Sequence, residues 1–171
     1  MNKSILSLNI DDFNKYLISP TGDLSMAQIN VEIWNKEFIR MKKPLVHVKK
    51  SKAGMGLFAG QDIPKDTKII EYIGEKITDA EAQKRGGQYL FEINSKWTID
   101  GSPRYNKARY INHQCGQGNC DAMNVRDHIF IYAFKNIKEG EELTYNYGDE
   151  FFEEHIKPKG CKCKNCNPEA K

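Results

Sequence analysis

Three cysteines lie close together near the end of the 171-residue chain: Cys161, Cys163 and Cys166. In a protein of a reducing compartment, thiols at such short spacing are typical of metal ligands. A structural zinc ion is held by four ligands in a tetrahedron, with Zn–S distances of about 2.3 Å. The tail supplies three sulfurs, so a zinc site requires a fourth ligand from elsewhere in the chain.

The fourth ligand has several candidates. Cys115 and Cys120 are the other two cysteines, and five cysteines, an odd number, fit a framework of disulfides poorly. The imidazole alternatives are His47, His113, His128 and His155. Lysines on either side of the tail cysteines favour the thiolate form that binds metal. The remaining alternative is a frayed tail with free thiols.

The elements that must position these residues fall into a helical part and a strand-rich part. Ser25 caps a predicted helix that runs to about Met41, and a shorter helix is predicted over Asp11–Ile18. From Pro44 onward, short apolar runs alternate with turns rich in Gly, Pro and Asp. The predicted strands are Leu45–Val48, Gly56–Ala59, Lys68–Ile73, Tyr89–Ile93, Trp97–Asp100, Ile129–Phe134 and Glu142–Tyr145.

One helix interrupts the predicted strands. Thr78 and Glu81 form the pattern of a capping box, and Gly86 supplies a C-terminal stop. Gly54 and Gly56 lie in a turn between strands, without the following helix that a dinucleotide-binding loop needs. The elements together predict a mainly β fold, a β-rich α+β domain.

The composition excludes several classes of protein. The chain is 39% hydrophobic and 29% charged, with a mean hydropathy of -0.67, so it is neither low-complexity nor wholly disordered. No apolar run is long enough for a membrane-spanning helix. Asp11 and Asp12 interrupt the N-terminal apolar stretch before a signal-peptide core forms. We therefore expect no signal peptide and no transmembrane segment.

The net charge of +3 is too small to argue for nucleic-acid binding. The charges are unevenly distributed, with seven basic residues in Lys36–Lys52 and seven acidic ones in Lys138–Glu154. An acidic stretch can steer a basic partner, although a solvated face is the commoner explanation of such a run.

Six stretches follow one another between residues 45 and 166. They are Ser51–Ala59 (SKAGMGLFA), Glu71–Glu75 (EYIGE), Tyr89–Ile93 with Thr98–Asp100 (YLFEI, TID), Ala108–Cys115 (ARYINHQC), Gly140–Tyr147 (GEELTYNY) and Cys161–Cys166 (CKCKNC). In this order they resemble the motifs of the SET-domain protein-lysine methyltransferases, and the last resembles the post-SET zinc segment of that family.

The chain departs from the family pattern at a few positions. Gln114 stands where the family has serine, Asn146 stands where it usually has aspartate, and Gly116–Asn119 is one residue longer than usual. The cysteine tail is of the shorter form, and no cysteine-rich segment precedes the domain. Because nothing aromatic follows the last cysteine, Phe151 and Phe152 are the candidates to close the substrate channel.

The resemblance implies a fold and a division of the chain. It implies a SET fold of several small, short-stranded sheets with a knot-like C-terminal active site. The SET domain would cover residues 45–150, after a helical extension of residues 1–44 and before a post-SET zinc-binding tail of residues 151–171. The resemblance implies one structural Zn²⁺ held by Cys115, Cys161, Cys163 and Cys166, which leaves Cys120 as a packing residue.

The resemblance also implies a cofactor. S-Adenosyl-L-methionine would be the methyl donor and S-adenosyl-L-homocysteine the product. The residues at the family's cofactor-binding positions are Ala53, Gly54, Met55, Gly56, Tyr89, Arg109, Asn112, His113 and Tyr147.

Three tyrosines stand at the family's catalytic positions. Tyr147 would align the amine with the sulfonium, and Tyr89 would line the same site. A hydroxyl at Tyr145 limits the room for further methyl groups, which implies chiefly monomethylation, extending to dimethylation. The acceptor lysine must be neutral, and burial beside a sulfonium lowers its pKa from the usual value of about 10.4, so no strong general base is required.

The resemblance therefore implies a protein-lysine N-methyltransferase acting on a protein with a basic, lysine-containing segment, such as a histone tail. It implies action in the nucleus on chromatin for a eukaryotic or host-acting protein, and in the cytoplasm otherwise, with no direct nucleic-acid readout and no membrane association. A catalytically weak or inactive SET-fold binding module is the alternative suggested by Asn146 and the altered stretch after Cys115. A zinc-dependent nucleic-acid binder using residues 36–52 is a further alternative, which salt-dependent binding would reveal.

Overall fold

Short strands dominate residues 44–167, the part of the chain that this computed structural model describes. The strands are β1 (Val46–Ser51), β2 (Gly54–Ala59), β3 (Lys68–Tyr72), β4 (Glu75–Thr78), β5 (Leu90–Asn94), β6 (Trp97–Asp100), β7 (Asn112–His113), β8 (Cys120–Val125), β9 (His128–Ala133) and β10 (Thr144–Tyr145). The helices expected before Pro44 lie outside the described residues, and the domain boundaries given above stay predictions.

Helical segments are short in the described part of the chain. Helix α1 covers Asp79–Arg85, and a 3₁₀ turn covers Lys107–Tyr110. Near the C-terminal end, α2 (Asp149–Phe151) continues into a π-helical turn, Phe152–Ile156, and a 3₁₀ turn, Lys157–Lys159. None of the helices in residues 44–167 has the length and hydropathy needed to span a membrane.

The strands form small sheets, which confirms the expected mainly β class. β1 and β2 form an antiparallel hairpin, and the three-stranded sheets have the orders β3-β9-β8 and β4-β6-β5. A parallel pair, β7 with β10, joins two stretches that are about thirty residues apart in the sequence.

The core is built by the alternation of side chains along the strands. In β9, Ile129, Ile131 and Ala133 are buried, whereas the residues between them are more exposed. The β8–β9 hairpin turns at Arg126 and Asp127, both with positive φ, as a type I′ turn requires. The largest fully buried apolar side chains are Leu57, Ile63, Ile69, Ile111, Ile129, Ile131, Ile137 and Leu143.

Helix α1 begins and ends as its capping pattern predicts. The backbone N–H of Glu81 donates to Thr78 Oγ1 at 3.3 Å, and Gly86, with φ of 60°, donates its N–H to the carbonyl of Ala82 at 2.9 Å. The Glu81 carboxylate does not return the capping bond, because it accepts from Arg85 Nε at 3.0 Å instead.

The predicted strands need correction in two ways. The strand expected over Glu142–Tyr145 is reduced to β10, and the strand expected from Gly56 already begins at Gly54. Strands β4, β7 and β8 have no counterpart among the predictions. β8 contains Asp121, Ala122 and Asn124, which are weak strand formers, and it is a strand because it pairs along its whole length with β9.

A close chain crossing positions the C-terminal part of the domain. The backbone of Gly118 lies so near β10 that a Cβ there would be 2.2 Å from the carbonyl oxygen of Thr144. Asn119 ties the crossing together: its Nδ2 donates to the carbonyl of Glu142 at 2.8 Å, and its Oδ1 accepts from Thr144 N at 2.8 Å. Residues 112–119 are therefore held against residues 142–145.

Candidate active site

The parallel pair β7–β10 brings two of the sequence motifs side by side. Asn112 lies opposite Thr144 and His113 opposite Tyr145 in the register, and the N–H of Gln114 donates to the carbonyl of Tyr145 at 3.0 Å. A cleft of about 1690 Å³ opens beside this pair. Nearly all the residues expected at the cofactor and catalytic positions line the cleft: Ala53, Gly54, Met55, Tyr89, Arg109, Asn112, His113, Tyr145 and Tyr147.

Gly56 is the exception among these expected residues. It does not line the cleft but lies behind it, where a Cβ would be 2.5 Å from Glu142 Oε1 and 2.9 Å from Ser51 Cβ. The lack of a side chain at Gly56 therefore makes room for the Glu142 carboxylate and for Ser51, and cofactor binding at Gly56 stays a prediction.

Tyr145 and Tyr147 form the apolar end of the cleft. Their ring centroids are 4.9 Å apart, and the Tyr147 hydroxyl donates to the carbonyl of Ile111. Burial raises the pKa of both phenols, so both stay protonated at neutral pH. These hydroxyls can orient a bound amine or a water, but they cannot act as phenolate bases.

His113 connects the cleft with the cysteines. Its Nδ1 accepts the backbone N–H of Tyr147 at 3.2 Å, so the ring proton is on Nε2, which lies 3.2 Å from Cys115 Sγ. Burial lowers the pKa of His113, which favours this neutral tautomer. The imidazole is thus held from both sides.

Arg109 packs over Tyr89 at the other wall of the cleft. Its guanidinium carbon lies 3.7 Å from the ring centroid, a short cation–π contact. Burial opposes ionisation of Tyr89. Hydrogen bonding to Arg109 and the positive charge of Arg109 nevertheless lower the pKa of the Tyr89 phenol. The carbonyl of Tyr89 accepts from Tyr72 Oη and from Gly101 N, each at 2.9 Å, which fixes the backbone under the ring.

Asn112 is held by two acceptors. Its Nδ2 donates to the carbonyl of Met55 at 3.1 Å and to Glu142 Oε1 at 2.7 Å. Asn112 stands at an expected cofactor-binding position, whereas the only sequence signal for Glu142 is its place in the Gly140–Tyr147 motif.

Four cysteine sulfurs come together beside β7. The Sγ atoms of Cys115, Cys161, Cys163 and Cys166 lie within 4.8 Å of one another. The Cys115 sulfur is 3.7 Å from that of Cys161 and 3.6 Å from that of Cys166. A tetrahedral Zn²⁺ with four thiolates has S–S edges of about 3.8 Å, so this donor set could hold zinc.

Among the candidate fourth ligands, Cys115 is the one whose donor atom lies within the group formed by the three tail sulfurs. Cys120 is buried elsewhere and lies 3.4 Å from Asn119 Oδ1, and its burial raises the thiol pKa to about 12. Burial opposes ionisation of Cys163, but N–H groups of Cys115 and Cys166 lower the pKa of that thiol to about 6, whereas burial and the neighbouring thiols raise the pKa of Cys115. The frayed tail weighed above is not found in residues 161–167.

Amide side chains also dock the tail. Asn165 Nδ2 donates to the carbonyl of Cys115 at 2.6 Å, and Asn167 Nδ2 donates to the carbonyl of Cys161. Residues 159–165 line the cleft. The cysteine centre therefore supports one wall of the cleft.

The aromatic residues after Tyr147 extend the tyrosine cluster. Phe151 meets Tyr147 edge-on with centroids 5.0 Å apart, and His155 lies 4.6 Å from Phe151. Phe152 lies 5.5 Å from His113. Phe151 and Phe152, the candidates to close the substrate channel, thus both contact residues of the cleft. Phe151 also lines the cleft itself.

Comparison with known proteins identifies the domain. Residues 54–148 match the family model described as SET domain. Human histone-lysine N-methyltransferase 2D is 40% identical over 126 residues, which are 66% of this chain and 2% of that protein. Histone-lysine N-methyltransferase set-2 of Caenorhabditis elegans is 36% identical over 146 residues, which are 77% of this chain and 9% of that protein.

A third relative and a solved structure agree with these matches. The H3 lysine-4 specific histone-lysine N-methyltransferase of Chaetomium globosum is 37% identical over 121 residues, 63% of this chain and 11% of that protein. A crystal structure of the Chaetomium thermophilum polycomb repressive complex 2 matches with a TM-score of 0.57 and 37% identity, covering 64% of this chain and 16% of that chain. The chain spans only a small part of the length of these relatives.

Proposed function

Because the chain belongs to the SET-domain family, we propose that it is a protein-lysine N-methyltransferase that uses S-adenosyl-L-methionine as the methyl donor. One observation carries the proposal: the motif residues converge on one cleft, with Asn112 and His113 on one strand and Tyr145 and Tyr147 beside them. Every relative described above is also named a histone-lysine N-methyltransferase.

The polar part of the cleft fits the proposed cofactor. Ala53, Gly54 and Met55, at the turn end of the β1–β2 hairpin, line the cleft beside Asn112, and Gly54 has φ of 124°, a conformation that suits glycine. When bound, S-adenosyl-L-methionine supplies an electrophilic methyl group on a sulfonium that is already a good leaving group. Asn112 and His113 would hold it, while Tyr89 and Arg109 form a wall of the cleft.

The tyrosine end of the cleft suits a neutral lysine amine. The rings of Tyr145, Tyr147 and Phe151 exclude water around the amine and restrict its direction of approach. The neutral phenols orient the amine through hydrogen bonds, and a low-polarity site favours its uncharged form. The residues therefore act by alignment rather than by strong base catalysis.

We propose a basic protein segment, such as a histone tail, as the substrate. The acidic residues at the cleft are Glu92, Asp121, Glu141, Glu142, Asp149, Glu150 and Glu154. Seven basic side chains line the cleft as well, so its lining is balanced in charge: Lys50, Lys52, Arg109, Lys135, Lys159, Lys162 and Lys164. The support for a basic substrate therefore comes from the acidic stretch Asp149–Glu154 that follows Tyr147 and from the relatives, each named a histone-lysine N-methyltransferase. Action on histones would place the protein on chromatin.

We propose chiefly monomethylation, extending to dimethylation. Tyr145 retains its hydroxyl next to Tyr147, where that group occupies space that a second or third methyl group would need.

A binding module without activity is less well supported. Asn146, the departure that suggested it, accepts the N–H of Gly148 through its Oδ1 at 2.9 Å, a local turn bond that aspartate also makes. This departure therefore leaves the position of Tyr147 intact.

Labelled S-adenosyl-L-methionine, core histones and a whole-cell lysate test the proposal, with Tyr147→Phe as the control variant. We expect label on a histone band that is lost with the variant. Label on other proteins alone would keep the enzyme and reject the histone substrate. Cofactor binding without any transfer would favour the binding module.

A further inference from the structure

Asn112 has an amide whose orientation is decided by its neighbours. Both of its Nδ2 hydrogens have acceptors, the Met55 carbonyl at 3.1 Å and Glu142 Oε1 at 2.7 Å. Turning the amide over would set its oxygen against two other oxygens, so only one orientation is stable. In this orientation, Oδ1 has no hydrogen-bond partner among residues 44–167, and Asn112 lines the cleft.

The backbone carbonyl of Met55 cannot fix this orientation alone, because it lies on the exposed β1–β2 hairpin, with Met55 itself 46% exposed. Glu142 makes the shorter bond, and its acceptor is charged, which strengthens the bond. Its backbone is anchored independently, since Asn119 Nδ2 donates to its carbonyl at 2.8 Å. The Glu142 carboxylate is therefore a firm support behind Asn112.

Gly56 provides the space for that support. A Cβ at Gly56 would lie 2.5 Å from Glu142 Oε1. The same Cβ would lie 2.9 Å from Ser51 Cβ and 3.0 Å from Phe58 Cε2, so an alanine would displace the carboxylate and also strain the β1–β2 hairpin.

We infer that Glu142 is a positioning residue that holds the Asn112 amide so that its Oδ1 accepts a hydrogen bond from the α-ammonium group of the cofactor. The inference rests on the proposed function, which supplies a ligand with that group. Without the Glu142 acceptor, the Asn112 amide can rotate, and its Oδ1 is no longer directed by two fixed bonds. Removal of the Glu142 carboxylate should therefore weaken the binding of ligands that carry the ammonium group and leave the binding of ligands without it unchanged.

The test compares two ligands, S-adenosyl-L-homocysteine and its analogue without the α-amino group, by titration calorimetry on the full chain. For Glu142→Ala we expect roughly tenfold weaker binding of S-adenosyl-L-homocysteine, the usual effect of losing a hydrogen bond to a charged group, and unchanged binding of the deaminated analogue. Glu142→Gln should stay close to wild type, because its amide oxygen can still accept from Asn112 Nδ2.

Glu71→Ala is the matched control, since it removes a carboxylate that pairs with His128 and does not line the cleft. Equal weakening of both ligands by Glu142→Ala would overturn the inference, as would unchanged binding of S-adenosyl-L-homocysteine. A loss in Glu142→Gln as large as in Glu142→Ala would also overturn it, because direct charge attraction would then be the cause. A wild-type chain that binds neither ligand would overturn the proposed function as well.

Discussion

The backbone N–H of Tyr147 donates to Nδ1 of His113 at 3.2 Å, across a separation of 34 residues. The opposite nitrogen of the same ring lies 3.2 Å from Cys115 Sγ. One imidazole therefore joins the proposed catalytic tyrosine to the cysteine centre. A disturbance of the cysteines should reach Tyr147 through a single side chain, which links the metal site to activity.

Removal of zinc should abolish activity before it unfolds the strands. The cysteine centre supports residues 159–165 at the cleft, whereas the buried core consists of residues from β2, β3, β5, β6, β8, β9 and the connections between strands. We expect one zinc ion per chain by elemental analysis, as a four-cysteine site implies. During titration with a chelator, methyl transfer should fall while the far-ultraviolet circular dichroism is still that of the folded chain.

Two cysteine variants provide the control for this prediction. Cys166→Ser should lower the zinc content, whereas Cys120→Ser should leave it unchanged, because Cys120 lies outside the cluster of four sulfurs. A chain with intact cysteines and no zinc would contradict the assignment.

Tyr145→Phe should shift the products towards di- and trimethyl-lysine. The substitution removes the hydroxyl beside Tyr147 and leaves the ring contact, whose centroids are 4.9 Å apart, in place. Mass spectrometry of a methylated peptide measures the distribution. Abundant trimethyl-lysine from the wild-type enzyme would refute the proposal that this hydroxyl limits methylation.

Gly118→Ala should destabilise the domain at the chain crossing. Its Cβ would lie 2.2 Å from the carbonyl oxygen of Thr144, a backbone atom that cannot move aside. Overpacking of this kind costs about 1–3 kcal/mol or more of the free energy of unfolding. Denaturant unfolding measures the loss.

Gly140→Ala is the comparison for this variant. Gly140 has φ of 84° and no neighbour within 4 Å of a Cβ, so only the backbone conformation opposes alanine, at about 1–2 kcal/mol. If Gly118→Ala cost no more than Gly140→Ala, the close crossing would not be a source of specificity in this fold.

Acid should lower the free energy of unfolding by breaking the ion pairs that join helix α1 to strands β4 and β6. Arg85 pairs with Glu75 at 2.7 Å and with Asp100 at 2.9 Å. Hydrogen bonds from Arg85 lower the pKa of Glu75. Burial opposes ionisation of Asp100, but hydrogen bonds from Ser102 and Arg85 outweigh it and lower the pKa of Asp100. Because the folded pKa values lie below the unfolded ones, these carboxylates stabilise the fold above their ordinary pKa, and the stabilisation is lost as the pH falls through the folded values.

Arg85→Gln tests this pH dependence. We expect the wild type to lose more free energy of unfolding than the variant between about pH 6 and pH 2, the range in which such carboxylates titrate. Urea unfolding at a series of pH values measures the difference. Parallel stability curves for the two proteins would contradict the role of Arg85.

Local features of the fold were predictable because they depend on neighbouring residues. The cap at Thr78 and the stop at Gly86 define α1 as expected, and β6 has the predicted bounds Trp97–Asp100. Strands β7 and β8 were not predictable, because their pairing partners, rather than their own side chains, make them extended. Gly56 stays a predicted cofactor-binding residue, and only the structure shows that it does not itself line the cleft, since a motif does not specify how its backbone lies relative to a cleft.

The sequence by itself determined the class of fold, the resemblance to the SET-domain family and a cysteine tail with three potential zinc ligands. These depend on residue types, short spacings and the order of motifs, all of which are local or linear properties. The resemblance implied Cys115 as the fourth ligand, and the tertiary structure brings its sulfur to the other three. The contacts through which His113 joins Cys115 to Tyr147, and the bond between Glu142 and Asn112, were visible in the tertiary structure alone. These relationships join residues that are 30 to 51 positions apart, and the packing of the strands, not their spacing in the chain, brings them together.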